Sequence, residues 1–276
     1  NLIVAAGGAV TDSGALVIPG TATISASGQN VTLDESSNNF GTLGITGDNV
    51  SVRDEDAIDL SASTVSGTYN LTTNGDITDS GALVISDVTT LASGSGNDIT
   101  LDHTSNDFQG GLIITSSGDV ILRDLGAIIL GAANVSGTYT VTAGGAVTDS
   151  GTQEIGGVTT INASGHNVTL DTATNNFADE VRITGAAVTV VDEDAIDLGA
   201  SAVSGAYSVT AGGAVTNSGA LVIPGTSTIS ASGHNVTLNT TTNNFGTLAI
   251  TGANVSAIDA NGIILGASTV SGTYAV

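Results

Sequence analysis

The chain repeats itself four times, and no other feature restricts its fold as much. Ser-Gly-(Thr/Ala)-Tyr occurs at residues 66–69, 136–139, 204–207 and 271–274, at offsets of 70, 68 and 67. Asn-(Asn/Asp)-Phe ends at Phe40, Phe108, Phe177 and Phe245, at offsets of 68, 69 and 68. Gly-Gly-Ala-Val-Thr-(Asp/Asn)-Ser-Gly begins at Gly7, Gly144 and Gly212, and residues 74–81 are a divergent copy. The 276 residues therefore hold four copies of about 69. Cut at the tyrosines, the copies run over about 1–68, 69–138, 139–206 and 207–276 of a single domain. Phe40, Phe108, Phe177, Phe245, Tyr69, Tyr139, Tyr207 and Tyr274 account for every aromatic residue, which marks them as a repeated core.

Within a copy the apolar residues alternate with period two. Ala22, Ile24 and Ala26 flank Thr23 and Ser25, Val31 and Leu33 flank Thr32, Val50 and Val52 flank Ser51, and Ile58 and Leu60 flank Asp59. Gly, Asn, Asp and Ser collect between these runs, so the pattern is of half-buried strands joined by turns. A sandwich strand has a unique neighbour and gains nothing from recurrence. A solenoid coil lies on a copy of itself, so a fixed period follows. The expected fold is all-β, a right-handed parallel β-helix. Each copy divides into three coils of about 23 residues, cut at Gly20, Gly41 and Gly67 in the first. That gives about twelve coils and a rod near 58 Å at about 4.8 Å per stacked strand.

Composition removes whole classes of function. Three Arg and no Lys stand against 26 acids, 21 of them Asp, for a net charge of −23. Nucleic-acid binding needs a basic footprint, which is missing. No apolar stretch approaches the roughly 18 residues of a membrane-spanning helix, so no membrane insertion is expected. With no Cys there are no disulfides, thiol catalysis or thiolate metal sites. Asn1 follows no initiator Met or signal peptide, which suits a processed chain or a window of a longer one.

The segments TVTAGGAVTDSG, TISASGQNVTLD, NNFGTL and DAIDLGASTVSG resemble the shared repeats of very large bacterial surface proteins. These are the filamentous-haemagglutinin-like adhesins exported by two-partner secretion, and related beta-strand-repeat surface proteins. The likeness covers all four copies. It implies a right-handed parallel β-helical shaft, an extracellular or cell-surface location, and a structural part in a fibre.

The candidate chemical groups are few. Asp54-Glu55-Asp56 with Asp59, and Asp192-Glu193-Asp194 with Asp197, bring several oxygens to one turn, as calcium requires. The other copies keep only Asp124 and Asp259, so a solvated acidic turn is the simpler reading, with Ca2+ as the alternative and no other cofactor expected. An enzyme is not expected. Arg53, Arg123 and Arg182 lie in different copies, and the carboxylate pairs recur as scaffold residues do. His166 and His234 share their repeat position with Gln29 and Asn97, and His103 is isolated, so a polar turn is the reading there. Asn38, Asn106, Asn175 and Asn243 read as turn residues beside the Phe. Nine Asn-x-Ser/Thr sequons follow from the Thr-rich composition.

Leu2, Ile3 and Val4 at one end, and Tyr274, Ala275 and Val276 at the other, fall in the same segment of the repeat. Strand edges there would accept another coil, so the expected partner is the chain itself, stacked end to end, or further repeats of a longer chain.

Overall fold

Val10, Val31, Val50, Tyr69, Thr89, Leu112 and Leu130 stand one above another in successive parallel strands. Their spacings along the chain are 21, 19, 19, 20, 23 and 18 residues. Each turn of the coil therefore takes about 20 residues and sets its strands in register on the turn below. The computed structural model describes all 276 residues, contains no α-helix and has no cis peptide bond. Its contacts divide the chain into two compact units, Asn1–Ala143 and Gly144–Val276. Each is a right-handed parallel β-solenoid, and together they carry about fourteen turns.

In unit 1 one complete turn consists of the strands Ile58–Leu60, Ser63–Val65 and Tyr69–Thr72. The next strand, Ile77–Asp79, comes back onto Ile58–Leu60. Alternate residues point inward, and the interior is aliphatic apart from the aromatic rings. Phe40, Phe108, Phe177, Phe245, Tyr69, Tyr139 and Tyr207 are all at most 1 % exposed. Each turn added to such a stack buries several aliphatic side chains, at roughly 1.5–3 kcal/mol apiece.

A repeat does not contain a whole number of turns. Ile128–Val135 is the tenth strand after its equivalent Ile58–Leu60, and three sides make a turn, so one repeat is three turns and one side. Tyr69 consequently sits between Val50 and Thr89, whereas Tyr139 stacks on a different column, Ile58, Ile77, Ile99 and Val120. Unit 2 repeats the shift. Tyr207 stacks on Val188 and Val168, while Tyr274 ends the column Ile196, Val215, Val236 and Val255. The twelve coils of about 23 residues expected from the sequence are thus about fourteen shorter ones.

The shift occurs at one place in each repeat. The side ending at Phe40 has no strand above it, and the buried Phe40 N–H donates to the Asp54 carboxylate instead. A few residues on, the single strand Asn39–Gly47 supports two strands, Ile58–Leu60 and Ser63–Val65. At that split the Ile45 N–H donates to Ser63 Oγ, 3.0 Å. One side closes as another divides, and the triangle is kept while its corners advance. Phe177 with Asp192, and Ile183 with Ser201, do the same in unit 2.

Corners that change direction sharply use left-handed glycines. Gly28, Gly165 and Gly233 have φ of 68°, 80° and 79°, in the turns that hold Gln29, His166 and His234. The backbone N–H groups of Gln29, His166 and His234 close those turns onto Ala26, Ala163 and Ala231. The expected polar turn is therefore present. Any residue with a Cβ would be strained at the glycine.

Candidate functional site

The densest polar arrangement is a network rebuilt in every repeat around Asn38, Asn106, Asn175 and Asn243. Each of these is 0 % exposed. They are not simple turn residues, as the sequence suggested, but brackets across three levels of the coil. In the first repeat Asn38 Nδ2 donates to Asp12 Oδ2 at 2.6 Å, on the turn below. Its Oδ1 accepts the Leu16 N–H at 2.8 Å, and its own carbonyl accepts Glu55 N–H at 2.7 Å from the turn above. Asn106 makes the same set with Asp79, Leu83 and Leu125. Asn175 makes it with Asp149, Gln153 and Glu193. In the fourth repeat Asn217 replaces the lower acid; its Nδ2 donates to Asn243 Oδ1, and Asn243 turns its own Nδ2 to the Leu238 carbonyl. Amide and carboxylate swap partners, and both polar atoms of Asn243 stay bonded, while Asn217 Oδ1 is left without a partner.

The upper members of the network are Asp54, Asp124, Asp192 and Asp259. The first three are 2 % exposed. One carboxylate oxygen takes the N–H of Phe40, Phe108 or Phe177 at 2.7–2.9 Å. The other takes the N–H two residues on, at Asp56, Gly126 or Asp194. Asp259 does the same with Phe245 and Asn261. Burial, only partly offset by these bonds, pushes the Asp54 and Asp192 carboxyls up to about 6, and the neighbouring Asp56 and Asp194 charges act in the same direction. Asp124 and Asp79 are raised for the same primary reason.

This has a consequence for stability. A carboxyl raised from 3.8 to about 6 binds its proton more tightly in the folded chain than in the unfolded one. Its contribution is complete below pH 3.8 and disappears as the pH rises through about 6. The chain is expected to melt at a higher temperature at pH 4.5 than at pH 7. Asp54 and Asp192 supply about 2 kcal/mol each to that difference. Thermal melts across this range check it. The variant carrying Asp54→Asn and Asp192→Asn should show a visibly flatter pH profile.

The remaining acids of the two predicted clusters do not converge. Asp56 Oδ2 accepts from Asn39 Nδ2, Asp59 Oδ2 from the Ser80 hydroxyl, and Asp197 Oδ1 from Thr216. Asp54 and Asp192 turn both oxygens to backbone donors. No three acidic or histidine side chains come together in a set that could hold a metal ion. Asp76, Asp98 and Asp119 form a vertical row on unit 1, each capping the N–H of the residue above. The corresponding rows of Asn30 with Asn49, and Asn235 with Asn254, do the same work without charge.

At the chain ends, Leu2–Ala5 pairs with the strand above it at Ala22, and Tyr274–Ala275 pairs with Val255 and Ser256. Ile3 is 82 % exposed and Val276 53 %, whereas Leu2 and Val4 are half-buried. Arg182 pairs with Glu180 on the surface of unit 2. An exposed pair of that kind adds little stability. No helix is long and apolar enough to cross a membrane.

The network was legible only in part. Asn and Asp before and after each Phe recur at fixed positions, and recurrence of a polar residue beside a buried ring was the available signal. The upper acid lies 14–16 residues from its Phe, and nothing local links them.

A family model described as repeats of unknown function (DUF5649) matches residues 1–46, 47–115, 117–184 and 185–251. It finds the same period but opens each inner repeat 22 residues before the tyrosine used above. Neither curated proteins nor solved structures yield a match.

Proposed function

We propose, for a chain that belongs to this family of repeats, a structural role as the shaft of an extracellular fibre, in the manner of the adhesin repeats it resembles. The supporting observation is the network itself. In all four copies the Asp that follows the Phe accepts the Phe N–H from the turn below, and the Asn before the Phe accepts a backbone N–H from the turn below it, so the repeated chemistry serves stacking. The sequence varies where it faces outward and keeps what joins one turn to the next.

On this reading the chain acts by length, stiffness and display, without catalysis and without a resident metal. It extends by adding repeats, either within one polypeptide or by end-to-end stacking of copies. The outer surface, rich in Thr, Ser and Asp, is hydrated and repels its like. Attachment to a host or neighbouring cell belongs to other segments.

Immunogold labelling of intact cells that make the protein tests this. Antibodies against residues 1–276 should decorate filaments outside the cell. Label confined to the cytoplasm would refute the proposal. Binding of the purified chain to foreign cells that a chelator abolishes would replace it with a calcium-dependent adhesion module.

A further inference from the structure

The outer surface is mostly polar and acidic, but one corner departs from this in alternate repeats. After the acid that caps the Phe N–H, the first repeat carries Glu55 and Asp59 and the third carries Glu193 and Asp197. The same two positions hold Leu125 and Ile129 in the second repeat, and Ala260 and Ile264 in the fourth. On the strand just before the corner, the second repeat also has Ile121 where the others have Ser51, Thr189 and Ser256. Leu125 is 62 % exposed, Ile121 41 % and Ile129 38 %.

Only side chains are exchanged. The Leu125 N–H donates to the Asn106 carbonyl at 2.7 Å, as Glu55 and Glu193 donate to Asn38 and Asn175. Ile128 and Leu130 are buried, as Ile58 and Leu60 are. Stacking of the coil gains nothing from the exchange. Asp59 and Asp197 accept hydroxyl bonds from the turn above, from Ser80 and Thr216, and an isoleucine gives that bond up. A cluster of aliphatic side chains held outward on a fixed backbone marks a contact surface. Arg123 lies between Ile121 and Leu125 on the outward side. It has no ion-pair partner in a chain with 26 acids, whose one such pair is Arg182 with Glu180.

We infer that this corner of the second repeat is a lateral contact for a second copy of the chain, with Ile121, Leu125 and Ile129 of each copy covering those of the other across a two-fold axis. Charge points to that occupant. Copies with a net charge of −23 repel over most of their surface, whereas here the two acids are gone and Arg123 meets a surface of opposite sign. Size points the same way. Three side chains cover far less than the roughly 800 Å² per partner of a stable complex, so one contact is weak. It becomes effective for a partner that offers it repeatedly. The fourth repeat presents Ile258 and Ile264 at the same corner, 39 % and 65 % exposed, and a chain with the same repeat is such a partner. The inference concerns the side of the coil and does not depend on end-to-end stacking or on where the shaft is located.

Sedimentation equilibrium of the full chain in rising salt tests this. Salt screens the repulsion between copies and leaves the apolar contact, so association should increase with salt. The variant with Leu125→Glu and Ile129→Asp carries the residues of the first and third repeats at these positions. It should melt like the parent and lose most of the salt-induced association. The chain has no Cys, so Ala127→Cys labels this corner alone and Ala57→Cys labels its acidic counterpart. A short bismaleimide should join two chains carrying Ala127→Cys and spare those carrying Ala57→Cys. Association through the chain ends would survive the double substitution and link neither position. A parent that stays monomeric at high salt would leave the corner to a different protein and overturn the inference. Association undiminished by the double substitution, or equal linking at both positions, would overturn it as well.

Discussion

Replacing Asn106 by alanine is expected to destabilise the chain by about 3 kcal/mol, measured by urea unfolding at pH 7. The side chain is 0 % exposed and joins two turns through its amide. Its loss leaves the Leu83 N–H, now bonded at 2.9 Å, without an acceptor. It also removes the Nδ2 donor, at 2.6 Å, from the half-buried Asp79 carboxylate, whose affinity for a proton is already raised by burial. Each buried group left unpaired costs about 1–3 kcal/mol, whereas the methylene packing lost is small. The companion variant Asn106→Asp separates shape from charge. It keeps the acceptor for Leu83 but sets a carboxylate against Asp79. Two such groups in contact cannot both ionise freely. Asn106→Asp should therefore be severely destabilised at pH 7 and recover much of its stability at pH 4.5. Equal destabilisation at both pH values would show that Asp79 is not the partner that matters.

Gly81→Ala should be about as damaging, at about 3 kcal/mol, although it adds a single methyl group. A Cβ on Gly81 would stand 2.2 Å from the Ala62 nitrogen and 2.9 Å from its Cα. Those atoms are backbone, so no rotamer change can relieve the clash, and two turns of the coil must separate. Gly219 is the same position in unit 2, with the Ala200 nitrogen 2.0 Å away. Gly126 lies in a turn of the coil with only Asp124 Oδ1 near the position of a Cβ, at 3.6 Å. Gly126→Ala should leave the melting temperature almost unchanged. A loss as large as that of Gly81→Ala would mean that backbone flexibility, and not close stacking, explains the glycine.

The fold was legible because its determinants are local or self-copying. Alternation of Val31, Thr32 and Leu33 shows a strand with one buried face. Recurrence of Phe and Tyr at a fixed period shows that the same strand meets its own kind on the next turn. The buried aromatic set was identified from this alone, and seven of its eight members are fully enclosed; Tyr274 is 36 % exposed.

The polar network was mostly hidden for the opposite reason. Asn38 looks like any turn residue until Asp12, Leu16 and Glu55 are brought around it from three levels. Asp54 looks like one acid in a solvated run, beside exposed Glu55 and Asp56. Only its inward direction and its bond to Phe40 distinguish it from them.

By itself the sequence determined that this protein is a parallel β coil built from four copies of one repeat. Periodicity and self-stacking are properties of residue order. The tertiary structure decided how many turns a repeat contains and which carboxylates are buried. Those depend on where a side ends and its N–H finds an acceptor. That acceptor comes from the turn above, at a distance along the chain that no local pattern records.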